Sequence, residues 1–359
     1  MKVALVHDDL VQWGGAERVL EAICEIYPDA PIFTSVFDRD NESLERLFGS
    51  KEIRTSFLQK IPGWKSLYKV LLPFYPIAFE QFNFDGYDLV ISHTSRFAKA
   101  IITKPDTTHI CYCVTPPRFL WHFSGESNFG FMELLMTKLR VFDHISANRV
   151  DQFLANSNNT AKRIKKIYRM DAKVIYPFVD LDRFKDVETF DGGYFVVIAR
   201  LNKYKRVDLA IDACMELGLA LKVIGTGPEL ESLRRLPRSF APRNDIEFLG
   251  NVEDEVVVQV LAGCRALIVP GIEDFGITPL EAQALGKPVI AYQEGGVLET
   301  VIPAKTGIFF KEQNIKSLSE ALALFRLKNF NPEDCRKNAS RFSKVHFINN
   351  FKQTVASLV

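Results

Sequence analysis

The sequence predicts an α/β protein of two doubly wound, Rossmann-like units in tandem that face a central cleft. Three observations predict it. Short apolar runs alternate with amphipathic helical segments, the alternation lapses after residue 177 and resumes near 190, and glycine-bearing turns follow several of the runs. Open parallel sheets bind ligands beyond the C-terminal ends of their strands, so function is sought in the residues just past each run.

Along the chain, Lys2–His7 reads as the first strand, followed by a Gly14-Gly15 turn and a helix from about Ala16. Asp88–Ser92, His109–Tyr112 and Phe153–Ala155 read as further strands, Met132–Val150 as a long helix and Asn158–Tyr168 as a basic one. Pro177 to Gly193 is polar, ends in Asp191-Gly192-Gly193 and reads as a linker. The second unit then brings Tyr194–Ala199, Leu221–Ile224, Ile246–Leu249, Ala266–Val269 and Pro288–Ala291, each aliphatic or β-branched, with helical segments between them. The expected division is 1–185, 190–340 and an amphipathic terminal helix over 341–359 that packs back on the first unit.

Composition bounds the function. Of 359 residues, 47% are apolar, enough for two cores, and a net charge of +1 gives no reason to propose a nucleic-acid partner. No apolar run approaches the ~20 residues that span a bilayer, and the apolar start at Val3 is too short for a signal peptide. The cysteines, Cys24, Cys111, Cys113, Cys214, Cys264 and Cys335, are scattered without a CxxC pair. They read as buried thiols of a reducing compartment rather than a metal site, which implies a cytoplasmic location.

The segment Val269-Pro-Gly-Ile-Glu273-Asp-Phe275-Gly276-Ile277-Thr278-Pro279-Leu-Glu281 follows a strand and opens a helix. Thr278 fits an N-cap, Pro279 the first helical position and Glu281 the third, a capping box, so Glu281 reads equally as a cap. Glu273 lies in the loop and has no capping duty. Amides at Phe275, Gly276 and Ile277 would form an anion site at the helix start. A carboxylate beside an anion site calls for a ligand between them. A sugar diphosphate answers this, its hydroxyls donating to Glu273 and its phosphates accepting from the amides.

This segment resembles the E-x7-E motif of the retaining GT-B glycosyltransferases of family 4. The resemblance implies that Glu273 contacts the donor sugar near its reacting carbon and that Glu281 holds the ribose hydroxyls. A second loop, Ala199-Arg200-Leu-Asn-Lys-Tyr-Lys205-Arg206, follows a strand and precedes a helix. Its Arg200 fork and Lys205 ammonium can bracket a diphosphate. It is similar to the family's G-R-x-x-x-x-K-G loop, with Ala199 and Arg206 where the family has glycine. Read alone, it is a solvated basic loop. The turn Gly225-Thr226-Gly227-Pro228 resembles the family's G-x-G-P turn near the nucleotide, although tight-turn geometry explains its glycines equally well. Gly295-Gly296-Val-Leu-Glu299 is similar to the family's G-G-x-x-E segment, whose amides approach phosphate or sugar hydroxyls.

In the first unit, Gln12-Trp-Gly14-Gly15-Ala-Glu-Arg18 resembles the family's N-terminal glycine loop, which closes over the donor phosphates. His109-Ile-Cys-Tyr-Cys-Val114-Thr-Pro-Pro-Arg-Phe-Leu-Trp121 is similar to a segment of the O-antigen mannosyltransferase branch, with Val114 where histidine is frequent. Asn156-Ser157 and Tyr176-Pro-Phe-Val-Asp180 resemble the same branch. His93, at a strand end, either has a structural role or contacts the donor sugar, as such a histidine does in many members. The likeness spans most of the chain.

Two basic stretches remain. Over 51–76, Phe57, Trp64, Tyr68, Leu71 and Phe74 interleave with Lys60, Lys65 and Lys69, a composition that suits an anionic bilayer face or a lipid-diphosphate acceptor. Lys162-Arg-Ile-Lys-Lys166 reads as a solvated helix face.

The expectation is a retaining hexosyltransferase with a nucleotide-diphosphate sugar as substrate, GDP-mannose being the best guess. The acceptor is a saccharide or lipid-linked saccharide of surface-polysaccharide synthesis, with the enzyme at the inner face of the plasma membrane. The catalytic set is Glu273, Lys205, Arg200 and His93. The donor-binding set is Gly14, Gly15, Gly225, Gly227, Phe275, Gly276, Ile277, Thr278, Glu281, Gly295 and Gly296. No cofactor and no metal is expected, since no D-x-D-like motif stands in a plausible position; Asp180-Leu181-Asp182 lies in the linker region. The rivals are a 2-epimerase of the same fold, opposed by the basic loop with E-x7-E, and a catalytically dead glycan-binding scaffold, opposed by the intact motif set. A nicotinamide-dependent dehydrogenase is opposed by the lack of G-x-G-x-x-G after the first strand.

Overall fold

All strands among the described residues belong to two all-parallel sheets in a computed structural model of the chain, which describes residues 1–67, 70–121, 131–235 and 245–359. The first sheet holds β1 (Val3–His7), β2 (Ile32–Thr34), β3 (Ile53–Thr55), β4 (Leu89–Thr94), β5 (Thr108–Cys113), β6 (Gln152–Ala155) and β7 (Ala172–Val174). Its spatial order is β3-β2-β1-β4-β5-β6-β7. The second holds β8 (Tyr194–Ile198), β9 (Ala220–Ile224), β10 (Ile246–Gly250), β11 (Cys264–Val269), β12 (Val289–Tyr292) and β13 (Gly307–Phe310), ordered β10-β9-β8-β11-β12-β13. Each order reverses once, at β1/β4 and at β8/β11. Such a reversal leaves a crevice beyond the carboxyl ends of the two strands, the usual ligand position in this architecture.

The sequence makes these elements for simple reasons. β1 and β4 are buried along their whole length, as strands covered on both faces must be, and each opens on an apolar run, Val3–Val6 and Leu89–Ile91. β2, β3, β7 and β13 are three or four residues long, too short to register as periodic, and sequence reading passes over them. β4 continues to Thr94, so His93 lies inside the strand rather than at its end.

The chain divides into two compact units, one of Met1–Pro177 with Phe347–Val359 and one of Phe178–His346. The polar segment read as a linker is therefore largely part of the second unit. Phe178 and Phe184 are buried, and the Val179 amide donates to the Phe342 carbonyl at 2.9 Å. In the first unit, Phe347 and Phe351 of the terminal helix pack on Tyr112, each ring 6.1 Å away.

The stretch over 51–76 displays fewer aromatics than its sequence suggests. Leu71 is buried, while Phe57 and Trp64 are partly buried against the first core. Leu67, Val70 and Phe74 are exposed, as is Ile77 just beyond. Tyr68 and Lys69 lie outside the described residues. Lys65 is engaged by Asp38 at 2.5 Å and Asp40 at 2.6 Å. In the second basic stretch Lys162, Lys165 and Lys166 are exposed, as a solvated face requires.

All six cysteines are free and buried. Burial pushes the thiols of Cys24, Cys111, Cys214, Cys264 and Cys335 up to about 12, and holds that of Cys113 well above the usual thiol value. They are packing groups and not nucleophiles. Among the described residues no helix is long and apolar enough to cross a membrane.

Candidate active site

In the second unit the loops after β8 and β11 flank the point where the strand order reverses. The loop after β8 begins at Ala199, exposes Arg200, and forms a short 3₁₀ turn over Lys203–Lys205. Hydrogen bonds fix it against the turn after β9. The Leu201 amide donates to the Thr226 carbonyl at 2.9 Å, and the Glu229 amide donates to the Leu201 carbonyl at 3.0 Å. Close approach explains the two glycines of that turn. A Cβ at Gly225 would lie 2.0 Å from the Ala199 carbonyl oxygen, and one at Gly227 2.5 Å from that of Leu201. They are the contact surface that holds the Arg200 loop. Arg206, where the family pattern has glycine, has a φ of 50°, a left-handed conformation that glycine adopts freely and arginine only under strain.

The loop after β11 carries Glu273, whose main chain is clamped by the segment after β12. Glu273 and Gly295 form a parallel bridge, and the Gly296 amide donates to the Glu273 carbonyl at 2.8 Å. Lys205 then reaches across. Its Nζ lies 2.5 Å from Glu273 Oε1, with both side chains mostly buried. A Cβ at Gly271 would lie 2.6 Å from Lys205 Cα, so this glycine lets the two loops meet. The Lys205 ammonium supplies the partner that Glu273 appeared to lack on sequence grounds. Lys205, Glu273, Thr278 and Pro279 line one small cleft.

The capping box expected at the next helix is not formed. The helix runs Ile277–Ala284 with Gly276 as N-cap at a φ of 94°, two residues earlier than expected, and no side chain caps it. Thr278 and Pro279 therefore sit inside the first turn, and Glu281 is relieved of capping. Glu281 Oε1 instead accepts from Arg183 Nη1 at 3.2 Å, while Arg183 Nη2 lies 3.2 Å from Asp254. Arg183 comes from the segment read as linker, and sequence separation hides the pairing.

In the first unit the reversal lies between β1 and β4. Apart from His93, the polar residues there are missing from the sequence-derived site. Asp8 accepts from Thr94 Oγ1 at 2.8 Å and from the amides of Ser95, Phe97 and Ala98 at 2.6–2.9 Å, fixing the turn after β4. Asp9 pairs with Arg96. His7 and His93 are register partners with stacked rings. His93 is 1% exposed, and burial, then the charge of His7, hold its pKa well below the usual histidine value. Gly14 and Gly15 open the helix Gly15–Ile26, Gly14 in an extended conformation. Consecutive Asp8-Asp9 directly after a strand was the available signal for this cluster.

Among the described residues no group of three or more His, Cys, Asp or Glu stands ready to hold a metal ion. The chemistry on offer in the second unit is an ammonium paired with a carboxylate at the mouth of a sheet. A ligand carrying both anionic oxygens and hydroxyl donors can exchange with that pair, taking the ammonium with the first and the carboxylate with the second.

Comparison with known proteins gives the chain a family and a fold. Residues 13–183 match the model for Glycosyltransferase Family 4, and residues 179–342 match that for Glycosyl transferases group 1. An alpha-1,3/1,6-mannosyltransferase of Dictyostelium discoideum is 28% identical over 55% of this chain and 56% of its own length. A GDP-mannose-dependent alpha-(1-6)-phosphatidylinositol monomannoside mannosyltransferase of Mycobacterium tuberculosis is 29% identical over 46% of this chain and 50% of its own. The chain thus spans about half the length of these two relatives. The Anabaena protein HepE, solved with UDP and glucose, superposes with a TM-score of 0.73 at 20% identity, covering 99% of this chain and 100% of that one, which establishes the same GT-B fold.

The packing at Gly296 makes a prediction. Its φ of −68° suits any residue, yet a Cβ there would lie 2.3 Å from Phe275 Cα. Gly296→Ala should destabilise the protein by about 1–3 kcal/mol through overpacking alone. Gly193→Ala, with open space but a φ of 82°, should cost about 1 kcal/mol. Thermal melts compare the two. Equal melting temperatures for Gly296→Ala and the parent would show that the clamp on Glu273 is loose.

Proposed function

This chain belongs to glycosyltransferase family 4, of GT-B fold, and from that premise we propose that it transfers a hexosyl group, with retention of configuration, from a nucleoside-diphosphate sugar to a saccharide hydroxyl. The observation that carries the reading is the Lys205–Glu273 pair at the strand-order reversal of the second sheet. GDP-mannose is the proposed donor, supported by the mannosyltransferase names of the two relatives, and the acceptor is a saccharide or lipid-linked saccharide.

The donor diphosphate takes Lys205 and Arg200, and its hexose hydroxyls donate to Glu273. Glu281, held by Arg183, accepts from the ribose hydroxyls. The bond from the anomeric carbon to the phosphate oxygen breaks as the bond to the acceptor oxygen forms on the same face. The acceptor proton passes to the departing phosphate oxygen. Negative charge grows on the diphosphate in this step, and Lys205 and Arg200 stabilise it without a metal, the largest catalytic contribution expected. His93, in the first unit, donates a hydrogen bond to a saccharide oxygen.

The membrane face is proposed at Leu67, Val70, Phe74 and Ile77, which recur in the sequence at intervals of three, four and three and are 40–69% exposed. Because Lys65 is already neutralised, apolar insertion carries this contact more than charge does.

Two experiments test the reading. Lys205→Ala and Glu273→Ala should stay folded and lose about 10²–10³ in kcat/KM, assayed in EDTA with whichever nucleotide sugar most raises the melting temperature in a panel including GDP-mannose and UDP-glucose. Full-speed turnover by both variants contradicts it. Val70→Asp with Ile77→Asp should cut sedimentation with phosphatidylglycerol vesicles by at least about tenfold, since two buried aliphatic side chains are lost. Undiminished sedimentation removes this patch from the membrane face.

A further inference from the structure

His7 and His93 stand side by side on β1 and β4, ring centroids 5.0 Å apart. His7 Nδ1 lies 3.2 Å from the His93 carbonyl oxygen and 3.0 Å from His93 Nδ1. A carbonyl oxygen only accepts, so His7 Nδ1 carries a proton. That proton also faces His93 Nδ1, which must present its lone pair. Neutral His93 therefore carries its own proton on Nε2. On the other side of its ring, His7 Nε2 stands 3.7 Å from Glu17 Oε1. A carboxylate there favours a proton on Nε2 too, making His7 an imidazolium with Glu17 as counter-ion. Gly14 leaves room for this carboxylate, since a Cβ on it would lie 3.3 Å from Glu17 Oε2.

His93 Nε2 is buried and has no hydrogen-bond partner among the described residues. Buried donors are almost always satisfied, so an unpartnered one in the last turn-proximal residues of a strand where the sheet order reverses points to a ligand oxygen.

We propose that Glu17 and His7 are positioning residues that lock His93 in its Nε2–H tautomer, so that it is a hydrogen-bond donor to an oxygen of the saccharide substrate. The saccharide end rests on the transferase reading above; the tautomer lock does not. Burial alone would lower the pKa of His7, but Glu17, with Asp8 and Asp9, outweighs it and raises the pKa. The other groups around the pair are committed. Asp8 is occupied by the turn after β4, Asp9 by Arg96, and Tyr112, stacked on His93 at 5.6 Å, is kept neutral by burial. When pH rises through the raised pKa, the proton beside Glu17 is retained and the one on Nδ1 is lost. His93 must then turn its own proton toward His7, and Nε2 ceases to donate.

Glu17→Gln separates this from a merely structural role. Its amide can donate to His7 Nε2, so neutral His7 keeps its proton on Nδ1 and the lock survives deprotonation. Nitrogen NMR of the histidine side chains in the full chain, followed from about pH 6 to about pH 9 across the histidine range, reads the tautomer. Wild-type His93 should be Nε2–H at low pH and change tautomer with His7, while Glu17→Gln stays Nε2–H throughout. Hydrolysis of GDP-mannose, or of the panel sugar that binds best, should show kcat/KM falling about tenfold with rising pH in wild type, the loss of one hydrogen bond, and a flat profile in Glu17→Gln. A proton on His93 Nδ1 at low pH overturns the lock. The correct tautomer with identical pH profiles in both proteins overturns its link to transfer. A wild type that turns over no sugar nucleotide sinks the transferase reading and the saccharide end with it, while NMR still decides the lock.

Discussion

The second unit is organised around one ion pair, Lys205 with Glu273, whose partners come from different strand-to-helix loops. Neither loop could hold its charged side chain in place alone. The loop after β8 is pinned by the Gly225–Gly227 turn, and the loop after β11 is clamped at Glu273 by Gly295 and Gly296. At Gly225, Gly227, Gly271 and Gly296 a side chain would collide with neighbouring main chain. The four loops are thus one mechanical piece, and the small residues exist so that two charged ones can meet. Preorganisation of this kind suits a site that must answer charge developing in a transition state.

The first unit repeats the logic with different groups. There the charged anchor is Asp8, whose carboxylate collects two hydroxyls and three amides at the end of β4 and the turn after it. That turn fixes the end of β4, and with it the stack of His7, His93 and Tyr112. In both sheets the polar machinery lies where the strand order reverses, because only there do neighbouring strands send their following loops apart.

Much of this was legible in the sequence because it depends on local pattern. Short apolar runs announced β1, β4, β8 and β11, and the spacing from Glu273 to Glu281 announced the loop and helix between them. What escaped reading depends on distance or on small displacements. Arg183 meets Glu281 from far along the chain. The helix after Glu273 starts at Ile277 because Gly276 takes a left-handed conformation, a choice that the Thr-Pro signature two residues later concealed. Leu71, read as part of an exposed basic stretch, is core, since alternating charge and apolar residues do not reveal which face a short irregular segment buries. His93 was legible as a residue of interest, but its relation to Glu17 exists only once β1 and β4 lie in register.

The central claim is that Lys205 grips the diphosphate of a nucleotide sugar. Calorimetric titration with GDP and GMP, or with UDP and UMP if uridine binds better, isolates the second phosphate. The diphosphate should bind the parent more tightly than the monophosphate, and Lys205→Ala should shrink that advantage by about tenfold or more, the worth of a charge-assisted hydrogen bond. An advantage of the same size in both proteins would contradict the account.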